Sequence, residues 1–485
     1  MKLKYLINDK RLSKHSINVL GISEDSRKIE KNYIFFLKDA NESHDIYISE
    51  AINKGANLII YNKNSPPNIK KYENLCNFYG VDNIEDSMSL ISKRFYKINE
   101  NNIKVFGVTG TNGKSTVVNY IAQFIRFKNE KCGVIGTLGS GVFPYVRNKN
   151  LTTPNIININ RTIGNLLKRK IKYLALEVSS HGIKQDRING IKFDTAIFTN
   201  LSQDHLDYHK NMKDYFNAKL KLFTEYENKR KVVCIDTNYG RKLKDIFKND
   251  NKVKTISLNN NKADFYASFI KYSQNGLDFV INSKHGKSKI HTKLYGEFSI
   301  INILISIATL SNNKKDYNTF IENISKLKPV KGRMNKYYKK NKPIIFIDYA
   351  HTPDAIKKVL ISIKNHYPNK EIITIFGCGG NRDISKREMI GNIVSSLSDD
   401  IIITNDNPRN ESPEKISQDI ELGINRNIPY KVILNRAMAI KSCLNKNNSN
   451  KIVLILGKGH EDFQIIKNKK IMYSDKNEVL KALKL

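Results

Sequence analysis

Val105-Phe-Gly-Val-Thr-Gly-Thr-Asn-Gly-Lys-Ser-Thr116 reads as a buried strand, a glycine loop and the first turn of a helix. Val105 to Val108 is a short apolar run. Gly107, Gly110 and Gly113 punctuate the loop, and Val117, Ile121, Phe124 and Ile125 then recur at helical spacing. Glycines let backbone N–H groups turn inward and approach an anion, and a helix N-terminus adds partial positive charge. Lys114 is placed to reach β/γ-phosphates, and the Ser115 hydroxyl to ligate Mg²⁺. The glycine spacing departs by one residue from the common phosphate loop. A plain strand–turn–helix connection would nevertheless show one glycine, not three followed by Lys-Ser-Thr.

Working outward, the chain of 485 residues has room for about three domains. With 40% hydrophobic residues it can bury ordinary cores. No apolar run approaches the ~20 residues of a membrane helix, and the first residues lack the apolar region of a secretion signal, so a cytoplasmic protein is expected. Five cysteines, Cys76, Cys132, Cys234, Cys378 and Cys443, are far apart and form no metal-type pair. They read as reduced thiols, Cys378 as a small filler in a glycine loop. The net charge of +36 invites a nucleic-acid partner. The lysines, however, are scattered among Asn and Ile, as codon drift in an AT-rich genome produces, without a basic block or nucleic-acid motif.

Before the loop, residues 1–100 read as a small α/β unit. Strands are expected at Ile34–Leu37 and Asn57–Tyr61, with a helix ending before Gly55 and another over Asp86–Lys97 capped by Ser87. Asn99–Asn102 reads as a linker. Asp25-Ser26-Arg27 reads as nothing more than a turn on residue type.

After the loop, strands at Lys172–Val178, Phe193–Phe198 and Lys231–Ile235 each end in polar residues. A parallel sheet would gather those ends at the edge where ligands bind. Thr255–His291 alternates like antiparallel strands, and Phe298–Leu310 reads as a buried helix. From Gly332 the pattern restarts with strands at Ile344–Ile347, Glu371–Phe376, Asp400–Ile403 and Lys451–Leu456. Their Gly-, Arg-, Lys- and Asp-rich ends suit an anionic or zwitterionic ligand in a doubly wound domain. The fold class is therefore α/β with three domains: 1–100, then 101–331 around a central parallel sheet, then 332–485, Rossmann-like. The run 445–450 is a low-complexity loop.

Glu177, at a strand end, is a candidate second Mg²⁺ contact, with a solvated glutamate as the alternative. His205 reads equally well as a metal or substrate residue and as a helix cap. Lys219, on a helix, reads on residue type as a surface charge. No Ser-His-Asp order or activated cysteine is visible, so a covalent hydrolase is disfavoured.

Taken in order, Gly-Val-Thr-Gly-Thr-Asn-Gly-Lys-Ser-Thr, Glu-Val-Ser-Ser-His-Gly, Thr-Asn-Leu-Ser-Gln-Asp-His-Leu-Asp-Tyr-His, Asp-Tyr-Ala-His-Thr-Pro-Asp, Phe-Gly-Cys-Gly-Gly, Asp-Asn-Pro-Arg and Gly-Lys-Gly-His-Glu resemble the Mur ligases from Asp25 to Glu461. The resemblance implies an ATP-dependent amide ligase of peptidoglycan synthesis. It would add meso-diaminopimelate to UDP-N-acetylmuramoyl-L-alanyl-D-glutamate through an acyl phosphate, with Mg²⁺; a monomer is expected. The three domains would hold the UDP-sugar, ATP and the amino acid in turn.

By the same resemblance Gly110, Thr111, Asn112, Gly113, Lys114, Ser115 and Thr116 would hold the ATP phosphates. Arg333 would reach the phosphates, Asp348 the ribose and Asn302 the adenine. Ser115, Glu177, His205 and a carbamylated Lys219 would be the Mg²⁺ ligands. Glu24, Ser26, Ala40, Asn41 and Glu42 would touch the uridine nucleotide, and Leu151, Thr152, Thr153, Ser179, Gln185 and Arg187 the muramoyl-dipeptide. Arg382, Asp406, Asn407, Pro408, Arg409, Gly457 and Glu461 would form the diaminopimelate pocket. In it Arg409 would clamp the distal carboxylate that lysine lacks, and Glu461 would face the distal ammonium. Ser299, Asn335 and Asn381 depart from the family pattern, which has a first asparagine near adenine, an acidic residue and an aspartate at these places. A lysine-adding ligase, a folate-polyglutamate ligase and a non-catalytic nucleotide-binding protein are the weaker readings.

Overall fold

The computed structural model describes residues 1–7, 17–38, 44–147, 151–444 and 448–484. Ala40, Asn41 and Glu42 lie outside the described residues. The chain divides into two compact units. One comprises Met1–Phe106, Lys131–Asp194 and Lys221–Asn228; the other comprises Gly107–Glu130, Thr195–Leu220 and Lys229–Leu485.

In the first unit β1 (Gly21–Ser23), β2 (Tyr33–Leu37), β3 (Ala56–Asn62) and β4 (Asn77–Val81) form a parallel sheet in sequential order. Phe35, Leu37 and Ile59 face the helix His44–Asn53, burying Ile48 and Ala51. The helix expected at Asp86 begins instead at Ile84, and Asn83, not Ser87, caps it: Asn83 Oδ1 accepts from the Asp86 N–H at 3.0 Å. Asn and Ser cap equally well, so the side chain already in extended backbone, Asn83, takes the role. The expected linker is a capped turn, Glu100–Asn102.

β5 (Lys104–Thr109) passes from the first unit into the second. The first unit also holds β6 (Cys132–Gly136), β7 (Gly139–Val142), β8 (Tyr145–Arg147) and β9 (Tyr173–Glu177), in the order β9-β6-β7-β8. β6 pairs in parallel with β9, and the other two pairings are antiparallel.

In the second unit β10 (Phe193–Phe198), β11 (Asn228–Cys234), β12 (Val253–Ser257), β13 (Phe265–Ser273), β14 (Gly276–Ser283) and β15 (Gly286–Thr292) give the order β15-β14-β13-β12-β11-β10-β5. Within the alternating region Thr255–His291, β13–β14 and β14–β15 are antiparallel, as the period implies, but β12 pairs with β13 in parallel. The helices Lys114–Phe127 and Glu297–Leu310 are buried along most of their length.

The last sheet contains β16 (Asn335–Tyr337), β17 (Ile344–Asp348), β18 (Glu371–Phe376), β19 (Asp400–Ile403), β20 (Tyr430–Val432) and β21 (Lys451–Leu456), in the order β16-β17-β21-β18-β19-β20. All pairs but β16–β17 are parallel. Residues alternate between faces, as the pleat requires. Phe346 and Leu454 pack with Leu360, Ile363, Val394 and Ile420 on one side; Ile345, Ile347 and Val453 pack with Ile440, Leu444 and Val479 on the other. Helices on both faces make this the doubly wound sheet read from the sequence. A hairpin, β22 (Phe463–Ile466) and β23 (Lys469–Met472), follows it.

Candidate active site

The glycine loop joins β5 to the helix Lys114–Phe127. Gly110 has φ 148° and Gly113 φ 87°. A Cβ at Gly110 would lie 1.9 Å from Thr199 Oγ1, so only glycine lets the loop press against the end of β10. Asn200 clamps the loop: its carbonyl accepts from Thr111 N–H at 2.9 Å and its Oδ1 from Asn112 N–H at 2.9 Å. Lys114 Nζ lies over the loop, donating to the carbonyls of Gly110 (2.9 Å) and Thr111 (2.8 Å). Ser115 and Thr116 are buried in the first helical turn.

Lys219 is not a surface charge. It is 1% exposed, donates to the Gly110 carbonyl at 3.0 Å, and sits 4.5 Å from the ring centroid of Tyr215, one helical turn earlier. Burial holds its amine well below the usual lysine range, and the neighbouring charge of Lys114 pushes the same way. Tyr215 also meets Thr111 Oγ1 at 3.2 Å and packs edge-on to His205 at 6.2 Å. One tyrosine thus gathers the loop, Lys219 and His205, although its residue type gave no sign of it.

His205 has a left-handed backbone, φ 56°, a strained conformation for a non-glycine residue. Its N–H donates to Asp204 Oδ1 at 3.0 Å, and its Nε2 lies 3.4 Å from Asp204 Oδ2. Asp204 is itself buried, with His351 Nε2 at 3.8 Å and Lys386 Nζ at 3.7 Å. Burial raises its carboxyl pKa, but the neighbouring His351, His205 and Lys386 outweigh this and hold it well below the usual range.

Beside the loop lies a cavity of about 270 Å³ lined by Asn112, Gly113, Asn302, Phe298, Arg333 and Asp348. Arg333 stacks 4.5 Å from the Tyr349 ring, donates to Ser115 Oγ at 3.4 Å, and leaves its buried Nε without a hydrogen-bond partner among the described residues. The Asp348 oxygens accept from Met334 N–H and Ala350 N–H, each at 2.7 Å, and burial raises its carboxyl pKa.

At the strand ends of the last sheet, Arg409 also has a left-handed backbone, φ 52°. Its Nη1 donates to the Gly380 carbonyl at 2.7 Å. A Cβ at Gly379 would come within 2.9 Å of Arg409 Nη1 and 3.7 Å of Arg382 Cγ, so both arginines pass the same glycine. Burial and then the Arg382 charge lower the Arg409 pKa. Asp406, Asn407 and Glu461 surround Lys458, while Gly457 leaves room for Asp406: a Cβ there would lie 2.4 Å from Asp406 Oδ2. The Pro408 carbonyl abuts Gly380. Lys458, at 0% exposure, belongs to a motif legible in the sequence, but nothing there assigned it a role.

In the first unit Glu177 is buried at the end of β9, not solvated. Its oxygens accept from Thr137 N–H (2.9 Å) and Thr137 Oγ1 (3.1 Å), uncharged donors. Thr137 Oγ1 meets Thr152 Oγ1 at 3.0 Å. Thr153 Oγ1 bonds the Glu177 carbonyl (2.8 Å), Ser179 Oγ (3.1 Å) and Ser179 N–H (2.9 Å). Arg187 donates to the Thr153 carbonyl at 3.0 Å and to Gln185 Oε1. The predicted dipeptide residues therefore form one network, flanked by the exposed Leu151. Glu24 accepts from Asn155 Nδ2 at 2.5 Å, and Ser26 donates to Glu50 at 2.5 Å.

Residues 108–310 match the Mur ligase middle domain and residues 332–459 the Mur ligase, glutamate ligase domain. The UDP-N-acetylmuramoyl-L-alanyl-D-glutamate–2,6-diaminopimelate ligase of Wigglesworthia glossinidia brevipalpis is 40% identical, over 97% of this chain and 96% of its own. The chain belongs to the Mur ligase family. The ligase of the same name from Buchnera aphidicola (subspecies Schizaphis graminum) is 38% identical, over 96% of this chain and 95% of its own. A solved structure of a ligase of that name superposes with TM-score 0.70 and 28% identity, over 100% of this chain and 99% of that one. The MurF ligase of Thermotoga maritima in complex with ADP, 18% identical with TM-score 0.61 over 90% and 93%, shares the fold.

The three departures from the Mur ligase pattern have local work. Ser299 donates to the Tyr295 carbonyl at 2.7 Å. Asn335 bridges Gly332 N–H (2.6 Å) and the Val330 carbonyl (3.1 Å). Asn381, at φ 51°, accepts from Asn410 N–H at 3.1 Å, and asparagine tolerates that conformation. Cys378 is buried and its thiol is pushed up to about 12, which leaves it inert. No helix among the described residues is long and apolar enough to cross a membrane.

Proposed function

We propose that this chain is the ATP-dependent ligase that joins meso-diaminopimelate to UDP-N-acetylmuramoyl-L-alanyl-D-glutamate in the cytoplasm. The observation that carries the choice of amino acid is the passage of Arg382 and Arg409 by one glycine, with Asp406 and Glu461 near enough for their charges to act on Arg409. Two guanidinium groups suit a carboxylate, and two acids suit an ammonium. Diaminopimelate carries both at its far end; lysine carries only the second.

ATP would lie with its phosphates against the loop amides and its base in the cavity beside Asn302. Lys114 and Arg333 would draw charge from the transferring γ-phosphoryl group as it passes to the glutamate carboxylate. The diaminopimelate amine then attacks the acyl phosphate, and phosphate leaves. Residues 1–100 would take the uridine nucleotide, with Glu24 and Ser26 on it, and 332–485 the amino acid.

Buried Glu177, bonded by uncharged donors, fits a hard cation, and so does the Ser115 hydroxyl. Mg²⁺ held by Ser115, Glu177 and His205 would neutralise phosphate charge. A lysine amine kept neutral is the form that adds carbon dioxide, and the resulting carbamate of Lys219 would be an anionic ligand. Among the described residues, no group of three or more His, Cys, Asp or Glu is placed to hold a metal ion.

The test is phosphate release from ATP and Mg²⁺ with the UDP-muramoyl-dipeptide, comparing meso-diaminopimelate with L-lysine. Tripeptide product with diaminopimelate alone is expected. Product with lysine at a comparable rate overturns the pocket, and product with neither overturns the ligase.

A further inference from the structure

The buried ammonium of Lys458 has no part in the reaction above, yet it lies among residues assigned to the amino acid. Its Nζ is 2.7 Å from Glu461 Oε2, 3.1 Å from Asn407 Oδ1 and 4.0 Å from Asp406 Oδ1, with the Phe463 ring centroid 5.8 Å away. The side chain is 0% exposed. An ammonium so placed is stable only with its partners, and the partners only with it.

The same atoms fix two groups of the pocket. Asn407 spends its side chain internally: Oδ1 accepts from Lys458 and from Ile465 N–H (2.9 Å), and Nδ2 donates to Glu461 Oε2 (3.0 Å). Glu461 Oε2 therefore takes two donors, and Oε1 is the oxygen left for a ligand ammonium. Asn407 also ties the Asp406–Arg409 loop to the β22–β23 hairpin. There Arg409 N–H bonds the Ile465 carbonyl at 3.0 Å, and Lys467 N–H returns to the Arg409 carbonyl at 2.6 Å. One cation thus registers the acid that would meet the distal ammonium against the loop bearing the arginine that would meet the distal carboxylate.

We infer that Lys458 is a positioning residue which holds Glu461 and the Asn407–Arg409 loop in the register that selects a distal ammonium and carboxylate together. This rests on the diaminopimelate reading. Without Lys458, Glu461 and Asp406 are two acids in a buried pocket with one neutralising charge removed, and Asn407 Oδ1 loses a donor. The carboxylate of Glu461 then has no fixed direction.

The experiment compares meso-diaminopimelate with 2-aminopimelate, which lacks the distal ammonium, in the full-length enzyme with ATP, Mg²⁺ and the UDP-muramoyl-dipeptide. Lys458→Met is expected to raise KM for diaminopimelate at least tenfold while leaving KM for ATP within threefold. The preference for diaminopimelate over 2-aminopimelate should fall by the same factor. Glu461→Gln should lower that preference alone, and Lys458→Met/Glu461→Gln, which removes both buried charges, should lower it no further. A Lys458→Met protein that reduces kcat for both amino acids equally, with the preference intact, would overturn the inference. So would a double variant whose losses multiply. Should Lys458→Met fail to fold, Lys458→Gln and the charge-balanced double variant carry the same comparison. If the wild-type enzyme ligates diaminopimelate but variants keep its preference, this inference alone fails; if the wild type does not ligate it, the proposed function fails first.

Discussion

Lys114 and Lys219, more than a hundred residues apart in sequence, donate to one acceptor, the Gly110 carbonyl oxygen, at 2.9 and 3.0 Å. Two ammonium groups on one carbonyl repel, and Lys219 is the fully buried member. The cheapest arrangement leaves Lys219 neutral, which is the direction its pKa takes. In the proposed function, where Lys114 would bind phosphate, its charge would therefore help prepare Lys219 for the proposed carbamylation.

Lys114→Met removes a charge from the phosphoryl-transfer site and should lower kcat about 100- to 1000-fold with any amino acid. Because the Lys114 charge also depresses Lys219, the variant should raise the Lys219 pKa and reduce carbamate formation at neutral pH. Carbon-13 NMR of protein in labelled bicarbonate reads the carbamate. An unchanged signal would detach Lys219 from Lys114.

Lys219→Met should abolish ligation yet stabilise the fold in carbon dioxide-free buffer. The folded pKa lies below the unfolded value of 10.5, so below 10.5 the unfolded chain binds more protons and stability rises with pH. The wild type carries that penalty at pH 7, and the variant does not. Thermal melts should show the variant higher by about 1 kcal/mol or more at pH 7. The gap should close as pH approaches 10.5, and a lower-melting variant at pH 7 would mean the amine is not held neutral.

These lysines mark where the sequence stops being readable. The strand, loop and helix around Gly110 follow from local pattern, because glycine conformation and helical period are properties of neighbouring residues. So do β17, β18, β19 and β21, whose continuous apolar runs suit strands covered on both faces. Lys219 belongs to a helix whose sequence suits solvent equally well, and only packing against Tyr215 and Gly110 buries it. Family resemblance, not residue type, singled it out. Asp204 went unassigned because its partners, His351 and Lys386, follow other strands, and Lys458 because Asn407 and Asp406, from the end of β19, complete the surroundings that Glu461 of its own loop begins. The Ser87 cap failed for a local reason: Asn83 was an equally good capping residue four positions nearer the strand.

His460 predicts an acid limb of stability. Burial, followed by the charges of Arg333, Lys331 and Lys458, lowers its pKa from 6.5 to about 3. Above pH 6.5 the imidazole is neutral folded or unfolded and contributes nothing to the slope. As pH falls from 6.5 towards 3 the unfolded chain takes the proton and the folded chain does not, so stability is lost across that window. His460→Gln should flatten the loss. Urea unfolding at pH 7.5 and pH 4.5 measures it, and equal slopes for both proteins would show that His460 titrates normally.

Arg409→Ala tests the pocket directly. Its guanidinium is half-buried on a strained backbone, and an unpaired cation there costs free energy unless a ligand anion repays it. Charge-assisted hydrogen bonds contribute about 1.5–3 kcal/mol each, so truncation should raise KM for diaminopimelate roughly 10- to 150-fold. KM for ATP should stay within threefold, because Arg333 and the glycine loop are untouched. Lysine has no distal carboxylate, so any residual use of lysine should not worsen and, with one cation fewer near its ammonium, should improve. Steady-state phosphate release with both amino acids decides the matter. A diaminopimelate KM unmoved by the substitution would show that the distal carboxylate binds elsewhere, and Arg382 alone would then be the group to replace next.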